Sequence, residues 1–598
     1  MPDLKEIKKL TKKHFDNLAI MAVSELSRRK NDKNRVNLEK SWKEVDRQVA
    51  LIPAHNKDRK AWEPNFELPF QANALEILTA DADELRFSGT GDFFTCHCEL
   101  NNDFLNRFQQ DVRFLAGDNP DLDVFQATQE AVDSVTQGAL MHVHKQYRFK
   151  DAFNQLDAEA FKYGTYAAKL NAVKRHTFQN QFGGISRQDS VLPVMVPISI
   201  KNFYPDDLDA KALAQGLHLT PMQITVYQQR AGDIKIAAKK GSSNPQEVNG
   251  GWIKGNIDDI NADRLSDLIE LIEVEGDFLI EADGDSVFIP NMIATIAHGK
   301  GTNNPSVIRV RENPYPFQSV FFDTYFKNGI SVYGTSPLMK GESMQKAAQV
   351  AIESVIKVSA LQAKPPLHVN GQDPNFLSKG AEIFPGAIFQ HITAPQVLGI
   401  GDLQGSAAVF AALTAQYEDI TGVNRTRAGA QTKSHQTAFA VGTEKTQGRS
   451  RTVKFVKGSE TGFMTNLMQA ELAIMRGSMT DQSIYVKKYE GYVTMSKDAI
   501  PENTTLEVKG ASTPALEKQE LGQQTQAIQA VIQSEGDRVN MGGKPLDLDK
   551  LMVLFLGSVF PETDVASMFS DKPPPKQPPE GQGQPQQGGQ IPSQGVVS

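Results

Sequence analysis

One helix with defined ends constrains this chain more than any other feature. Ser336 offers a hydroxyl N-cap, and Pro337 takes the first helical position, where its missing N–H costs nothing. The 25 residues that follow, LMKGESMQKAAQVAIESVIKVSALQ, contain no proline and only Gly341 as a weak breaker. Lys364-Pro365-Pro366 then ends the run. At 1.5 Å per residue this helix is about 39 Å long. Ala347, Ala351, Val355 and Leu361 fall near one face, with Ala348, Ile352 and Ile356 beside it. These positions form the expected apolar face.

The flanks divide into helical and extended stretches. Residues 1–60 read as helical and charge-dense, an exposed arm. Apolar residues recur at helical spacing in 69–87, 122–147 and 151–171, which predicts a helical layer. From about 185 to 333 the runs become short and rich in Val and Ile (VLPVMVPISI, LIELIEVEG, SVIRVREN), separated by Gly, Asp and Asn. That alternation predicts an antiparallel meander. After the long helix, 366–402 is turn-rich with short β runs, and GSAAVFAALTAQYEDI (405–420) predicts a second helix stopping at Thr421-Gly422. A polar loop precedes a third helical region from Ser434 to about Arg476. Strand returns over 493–508, helix over 514–570, and the Pro-, Gln- and Gly-rich stretch from Lys572 lacks the apolar groups to offset ordering entropy.

Composition narrows the function classes. With 598 residues, several folding units are expected, since single cores stop growing at about 250–300 residues. No apolar run approaches the roughly 20 residues that span a bilayer, and the charged N-terminal stretch lacks an apolar h-region, which argues against a membrane or secreted protein. Two cysteines cannot form a disulfide framework, in keeping with a reducing compartment. A net charge of −8 argues against a conventional DNA-binding factor, but suits a surface that DNA must pass without adhering.

Each candidate chemical motif has a plainer explanation. Cys96-His97-Cys98 could ligate a metal, but no second ligand pair follows at suitable spacing, so a strand is expected and no metal. His142 and His144 stand two apart on a helix and face different directions, unlike a metal-binding i, i+4 pair. Asp259, Asn261, Asp263 and Glu270 occupy positions 1, 3, 5 and 12 of a calcium loop, but Arg264 stands where the turn needs glycine. A helix N-terminus with acidic first-turn residues is preferred there, with divalent-cation binding as the alternative. GTEKTQGRS (442–450) has Arg449 where a phosphate loop needs lysine. No nucleophile, base and oxyanion set emerges, so the chain reads as a non-enzyme without a cofactor. The cluster Asn424, Arg425, Thr426, Arg427, Gln431 and Lys433, flanked by Gly422 and Gly429, reads by itself as a solvated loop.

The order of these parts resembles the portal proteins of tailed double-stranded DNA phages, above all those of podophage type. NPYPFQSVFF followed by GTSPLMKGESMQKAAQVAIESVIKVSALQAKPPLHV resembles the family's approach strand and first stem helix. AQYEDITGVNRTRAGAQTKSHQTAFAV resembles the second stem helix, tunnel loop and start of the tunnel helix. PFQANALEILTADADELRF and AFKYGTYAAKL resemble the helical wing. The family's Thr-Ala-Thr-Glu pattern is split here between Thr437-Ala438 and Thr443-Glu444.

The resemblance implies a mixed α+β portal fold with the following parts. An arm at 1–60 leads to a wing at 61–333, helical over 61–180 and β-rich over 185–333. The first stem helix is 334–364, the clip 365–403 and the second stem helix 404–420. The tunnel loop is 421–433 and the tunnel helix 434–476, with a return to the wing over 477–512. A helical crown at 513–570 and a disordered tail at 571–598 complete the chain. The family assembles as a ring, a dodecamer, at one capsid vertex of the virion, built in the host cytoplasm. Its partners are double-stranded DNA in transit, the terminase large subunit, tail and adaptor proteins, and the major capsid and scaffold proteins. In that setting the loop arginines face the channel and touch phosphates transiently. Twelve copies at −8 each carry −96, a wall from which DNA is repelled. A head-completion or scaffold protein without a channel is the alternative, followed by a nucleic-acid-processing enzyme.

Overall fold

A computed structural model describes residues 10–87, 93–99, 124–181, 184–205, 222–241, 251–253, 256–257, 260, 265–298, 304–313, 315, 317–326, 331–369, 384–390, 403–423, 438–478, 482–486, 491–495, 500–501 and 504–508. The chain divides into two compact units, Met1–Pro514 and Ala515–Ser598, and every described residue belongs to the first. The helices are α1 (Lys12–Lys30), α2 (Lys33–Val49), α3 (Phe70–Phe87), α4 (Val124–Gln146), α5 (Phe149–Tyr163), α6 (Ala231–Gly241), α7 (Pro337–Ala363), α8 (Leu403–Thr421), α9 (Ala438–Ser459) and α10 (Thr465–Ser478). A π-helical turn, Glu460–Met464, joins the last two. The strands are β1 (Phe94–Cys98), β2 (Thr165–Gln181), β3 (Gly184–Ile198), β4 (Phe203–Tyr204), β5 (Met222–Arg230), β6 (Leu268–Ala282), β7 (Asp285–His298), β8 (Ser306–Glu312), β9 (Val320–Thr324), β10 (Leu367–Val369), β11 (Ile388–Gln390), β12 (Gln482–Val486), β13 (Gly491–Met495) and β14 (Thr504–Val508). The architecture is mixed α and β.

Strands β4 to β8 form an antiparallel sheet in sequential order, the expected meander. Helix α1 covers one of its faces, burying Leu18, Ala19, Ala22 and Leu26 against Ile272, Val274, Met292 and Ile296. A second buried cluster joins α6 to the sheet through Ile234, Ile269, Leu271 and Ile308. A three-stranded antiparallel sheet, β3-β2-β9, packs with α3, α5, α9 and α10 in the largest core. The two sheets are stapled by polar contacts. Lys169 of β2 pairs with Glu273 of β6, and the Gln223 amide donates to Val320 O at 3.0 Å. Buried Glu275 accepts from Ser319 N at 2.6 Å and from Asn313 Nδ2 at 2.9 Å. Burial pushes the Glu275 carboxyl up, while the Ser319 contacts pull it back.

Two expectations are corrected. The pattern over 151–171 predicts helix, yet α5 stops at Tyr163 and a long β2–β3 hairpin begins at Thr165. Gly164 ends the helix with φ +76°, its N–H bonded to Ala160 O at 2.9 Å. It also meets Gly334, where a Cβ would lie 2.3 Å from Gly164 O. Strand therefore reaches into the stretch expected to be a helical layer to residue 180. The described part of 1–60 is likewise no exposed arm. Trp42 is fully buried, and so is Arg35, a cation that stays buried because its donors are filled. Its guanidinium donates to Phe203 O at 3.1 Å, Tyr333 Oη at 2.9 Å, Ile200 O at 3.0 Å and Lys201 O at 3.1 Å, and to Glu39 at 2.9 Å. It also lies over the Trp42 and Tyr204 rings at 4.8 and 4.5 Å.

Candidate functional site

The long helix begins where Ser336 and Pro337 put it. Ser336 Oγ accepts from Met339 N and donates to Lys162 O, both at 2.9 Å, so the cap also ties the helix start to the end of α5. Lys364 closes the other end. Of the apolar face in the sequence reading, Ala348 is buried while Ala347 and Ile356 are exposed and the rest half-buried. The buried face is Leu338, Gly341, Gln345, Ala348 and Gln349. The glutamines bind the first turn of α3 and the extended chain ahead of it. Gln345 Oε1 accepts from Gln71 N and its Nε2 donates to Leu68 O, each at 2.9 Å. Gln349 does the same for Leu68 N and Phe66 O, also at 2.9 Å. A Cβ on Gly341 would lie 2.7 Å from Tyr417 Cε2 and 3.1 Å from Thr421 Cγ2, so α7 and α8 approach closely there. The start of α7 thus meets the end of α8, and the two form an antiparallel hairpin. Beyond the far end of α7, Gly386 N donates to Lys364 O at 2.8 Å, and β10 pairs with β11 in parallel.

The outward face of α8 is largely apolar, whereas α7 exposes Val350 and Ala347 beside Ser343, Lys346 and Ser354. Val350 is 64% exposed on α7 and Val409 53% exposed on α8. Around Val409, the alanines at 407, 408, 411, 412 and 415 are also exposed, and α8 has no charged residue before Glu418. Helix α8 ends at Gly422, whose φ of +73° and N–H bond to Glu418 O at 2.8 Å make a left-handed cap. Val423 is buried beyond it. Asn424, Arg425, Thr426, Arg427, Gln431 and Lys433 lie outside the described residues.

Helix α9 closes the site. Arg451 Nη1 donates to Asp419 O at 2.8 Å and Ile420 O at 2.9 Å, capping the negative end of α8 with a cation. Arg449 pairs with Glu84 of α3 at 2.7 Å. The π turn follows directly, with Thr465 Oγ1 donating to Glu460 O at 2.7 Å. Beneath it the buried Arg86 pairs with Asp157 and donates to Ser459 Oγ at 2.5 Å. Sequence reading missed this break, because the helical periodicity runs through it.

The remaining candidates separate. Cys96 and Cys98 are buried on β1 beside β14, with His97 exposed between them. Burial pushes the Cys98 thiol up to about 11, so it stays protonated. His144 is buried against Glu471 at 2.7 Å, while His142 bonds to Gln146 at 2.8 Å. Glu270 lies in β6 opposite Gln228 and His298, not at a helix start, because its segment alternates apolar and polar residues. Asp259, Asn261 and Asp263 lie outside the described residues. Among the described residues no cluster of three His, Cys, Asp or Glu could hold a metal, and no helix is long and apolar enough to cross a membrane. No family model matches the chain, and no curated protein matches it. What the described residues offer is a two-helix hairpin with an exposed run of alanines and Val409 on α8, next to a basic helix.

Proposed function

We propose that the chain is a portal subunit of a tailed double-stranded DNA phage, forming the ring-shaped channel through which the genome enters and leaves the capsid. The observation that carries this reading is the set of exposed valines and alanines on the α7–α8 hairpin, concentrated on α8. Val350, Val409 and the α8 alanines are turned to water in the single chain. Covering them gains about 25 cal/mol for each Å² of apolar surface removed from water. Small side chains let helices of neighbouring copies come close. A head-to-tail contact of this kind, repeated about an axis, closes into a ring. The order of parts supports the same reading: a long helix, an excursion with a short β pair, a returning helix, then a long helix broken by a π turn.

On this reading the excursion at 365–403 docks terminase and later the tail adaptors. Arg425 and Arg427 meet DNA in the channel, and the chain itself catalyses nothing. Negative-stain imaging with native mass spectrometry tests it. The expected species are rings near twelve subunits with a central hole as wide as a duplex. Val350→Glu combined with Val409→Glu should disperse them. A wild-type chain that stays monomeric across concentration and salt refutes the proposal.

A further inference from the structure

We infer that the face of α9 carrying exposed Arg451 and Lys454 and half-exposed Lys457 is a contact surface for a nucleic-acid backbone. The three cations follow one another at three-residue steps and span about 9 Å of helix. They lie opposite the buried Thr452, Phe455, Val456 and Ser459. Exposed Ser450 and Gly458 complete the face, with Thr461 of the π turn beyond its end, and the nearest acid in sequence, Glu460, is buried.

On α1, α2 and α7 surface cations pair with an acid one turn away. Glu25 pairs with Arg28 and Arg29, Glu44 with Arg47, and Glu342 with Lys346. On α9 the successive cations repel one another instead. Among the described residues neither Lys454 nor Lys457 has an ion-pair partner. Lys454 and Lys457 gain no ion pair on folding, and a polyanion lying along the row offsets their repulsion. Arg451 fixes the row in place, since one of its nitrogens caps α8.

The form of the face selects the partner. A single phosphate needs converging donors, whereas these run in line. A membrane surface needs large apolar side chains between the cations, and Ser450, Gly458 and Thr461 supply none. A row of cations without groups to read base edges fits a phosphate backbone of any sequence. That the backbone belongs to duplex DNA in transit rests on the portal reading. The basic face itself does not.

The test uses the full chain and a labelled duplex of about 30 base pairs, followed by anisotropy between roughly 50 and 200 mM salt. Negative-stain images of the same samples report rings. Lys454→Gln with Lys457→Gln should weaken binding about tenfold or more at low salt, and flatten the plot of log affinity against log salt by about 2. Lys454→Arg with Lys457→Arg should bind as wild type, and shuffling the duplex sequence should change nothing. Unchanged affinity and slope in the glutamine variant, with rings intact, overturn this inference and leave the portal reading standing. Equal loss in the arginine variant, or preference for phosphatidylserine vesicles over duplex, also overturns it. A wild type that forms no rings refutes the portal reading, while its salt slope still decides the basic face.

Discussion

Replacing Gln345 with alanine tests the polar seam between α7 and the chain entering α3. The side chain makes three hydrogen bonds: from Gln71 N at 2.9 Å, to Leu68 O at 2.9 Å and to Glu67 Oε1 at 2.7 Å. Truncation leaves the Gln71 amide and the Leu68 carbonyl in a buried seam without this partner. Each orphaned group costs about 1–3 kcal/mol, so the expected loss is about 2–6 kcal/mol. Hydrogen exchange reads this locally. A loss of 2 kcal/mol accelerates exchange at Gln71 about 30-fold. Gln349→Ala is the internal control, because it should act at Leu68, whose N–H it holds at 2.9 Å, and spare Gln71. Gln345→Glu keeps the acceptor but turns a carboxylate oxygen toward Leu68 O and Glu67. It should be as damaging at neutral pH and recover as acid protonates the new carboxyl. Exchange at Gln71 within tenfold of wild type, with the urea midpoint unmoved, would show that water replaces the glutamine and that the reasoning is wrong.

Two glycines of the long helices separate packing from helix propensity. Gly458→Ala has nothing within 4 Å of the new Cβ and should stabilise by up to about 1 kcal/mol in urea unfolding. Gly341→Ala gains the same propensity but drives a Cβ to 2.7 Å from the Tyr417 ring, so overpacking of about 1–3 kcal/mol should make it net destabilising. Glu25 carries a pH signature, since Arg28 foremost, with Arg29, holds its carboxyl down at about 2 against the opposing effect of burial. The folded-state value lies below the unfolded one, so this stability is complete above the ordinary carboxylate range and is lost as pH falls toward 2. Glu25→Gln should abolish that acid-dependent loss, about 1 kcal/mol for a pair on a helix surface, in urea midpoints taken from pH 6 to about 2.

The ends of α7 were legible because capping and breaking are local chemistry. Ser336 and Pro337 start the helix and the prolines at 365 and 366 stop it, whatever packs around them. The meander of β4 to β8 was legible for the same reason, with alternation and turn residues in short range. The buried face of α7 was not, because an apolar count passes over glutamine. Gln345 and Gln349 are buried by partners almost 280 positions earlier, and only their spacing from Gly341 hints at a shared face. Strand β2 was missed because Tyr166, Ala167 and Ala168 are all buried, which blurs the two-residue alternation. Arg35 and Trp42 sit in a charge-dense stretch that composition assigns to solvent, and aromatic partners distant in sequence bury them.

The Arg35 cage also sets a timetable for biosynthesis. One of its ligands, the Tyr333 hydroxyl, lies 298 positions downstream. At about 5–20 residues per second, translation needs roughly 15–60 s to bridge that interval. Through that time α1 and α2 stand outside the ribosome with Trp42 and the guanidinium unhoused, within reach of chaperones and proteases. A domain fused ahead of α1 would finish folding before its neighbour could dock. The N-terminal helices are made first in this unit and locked late.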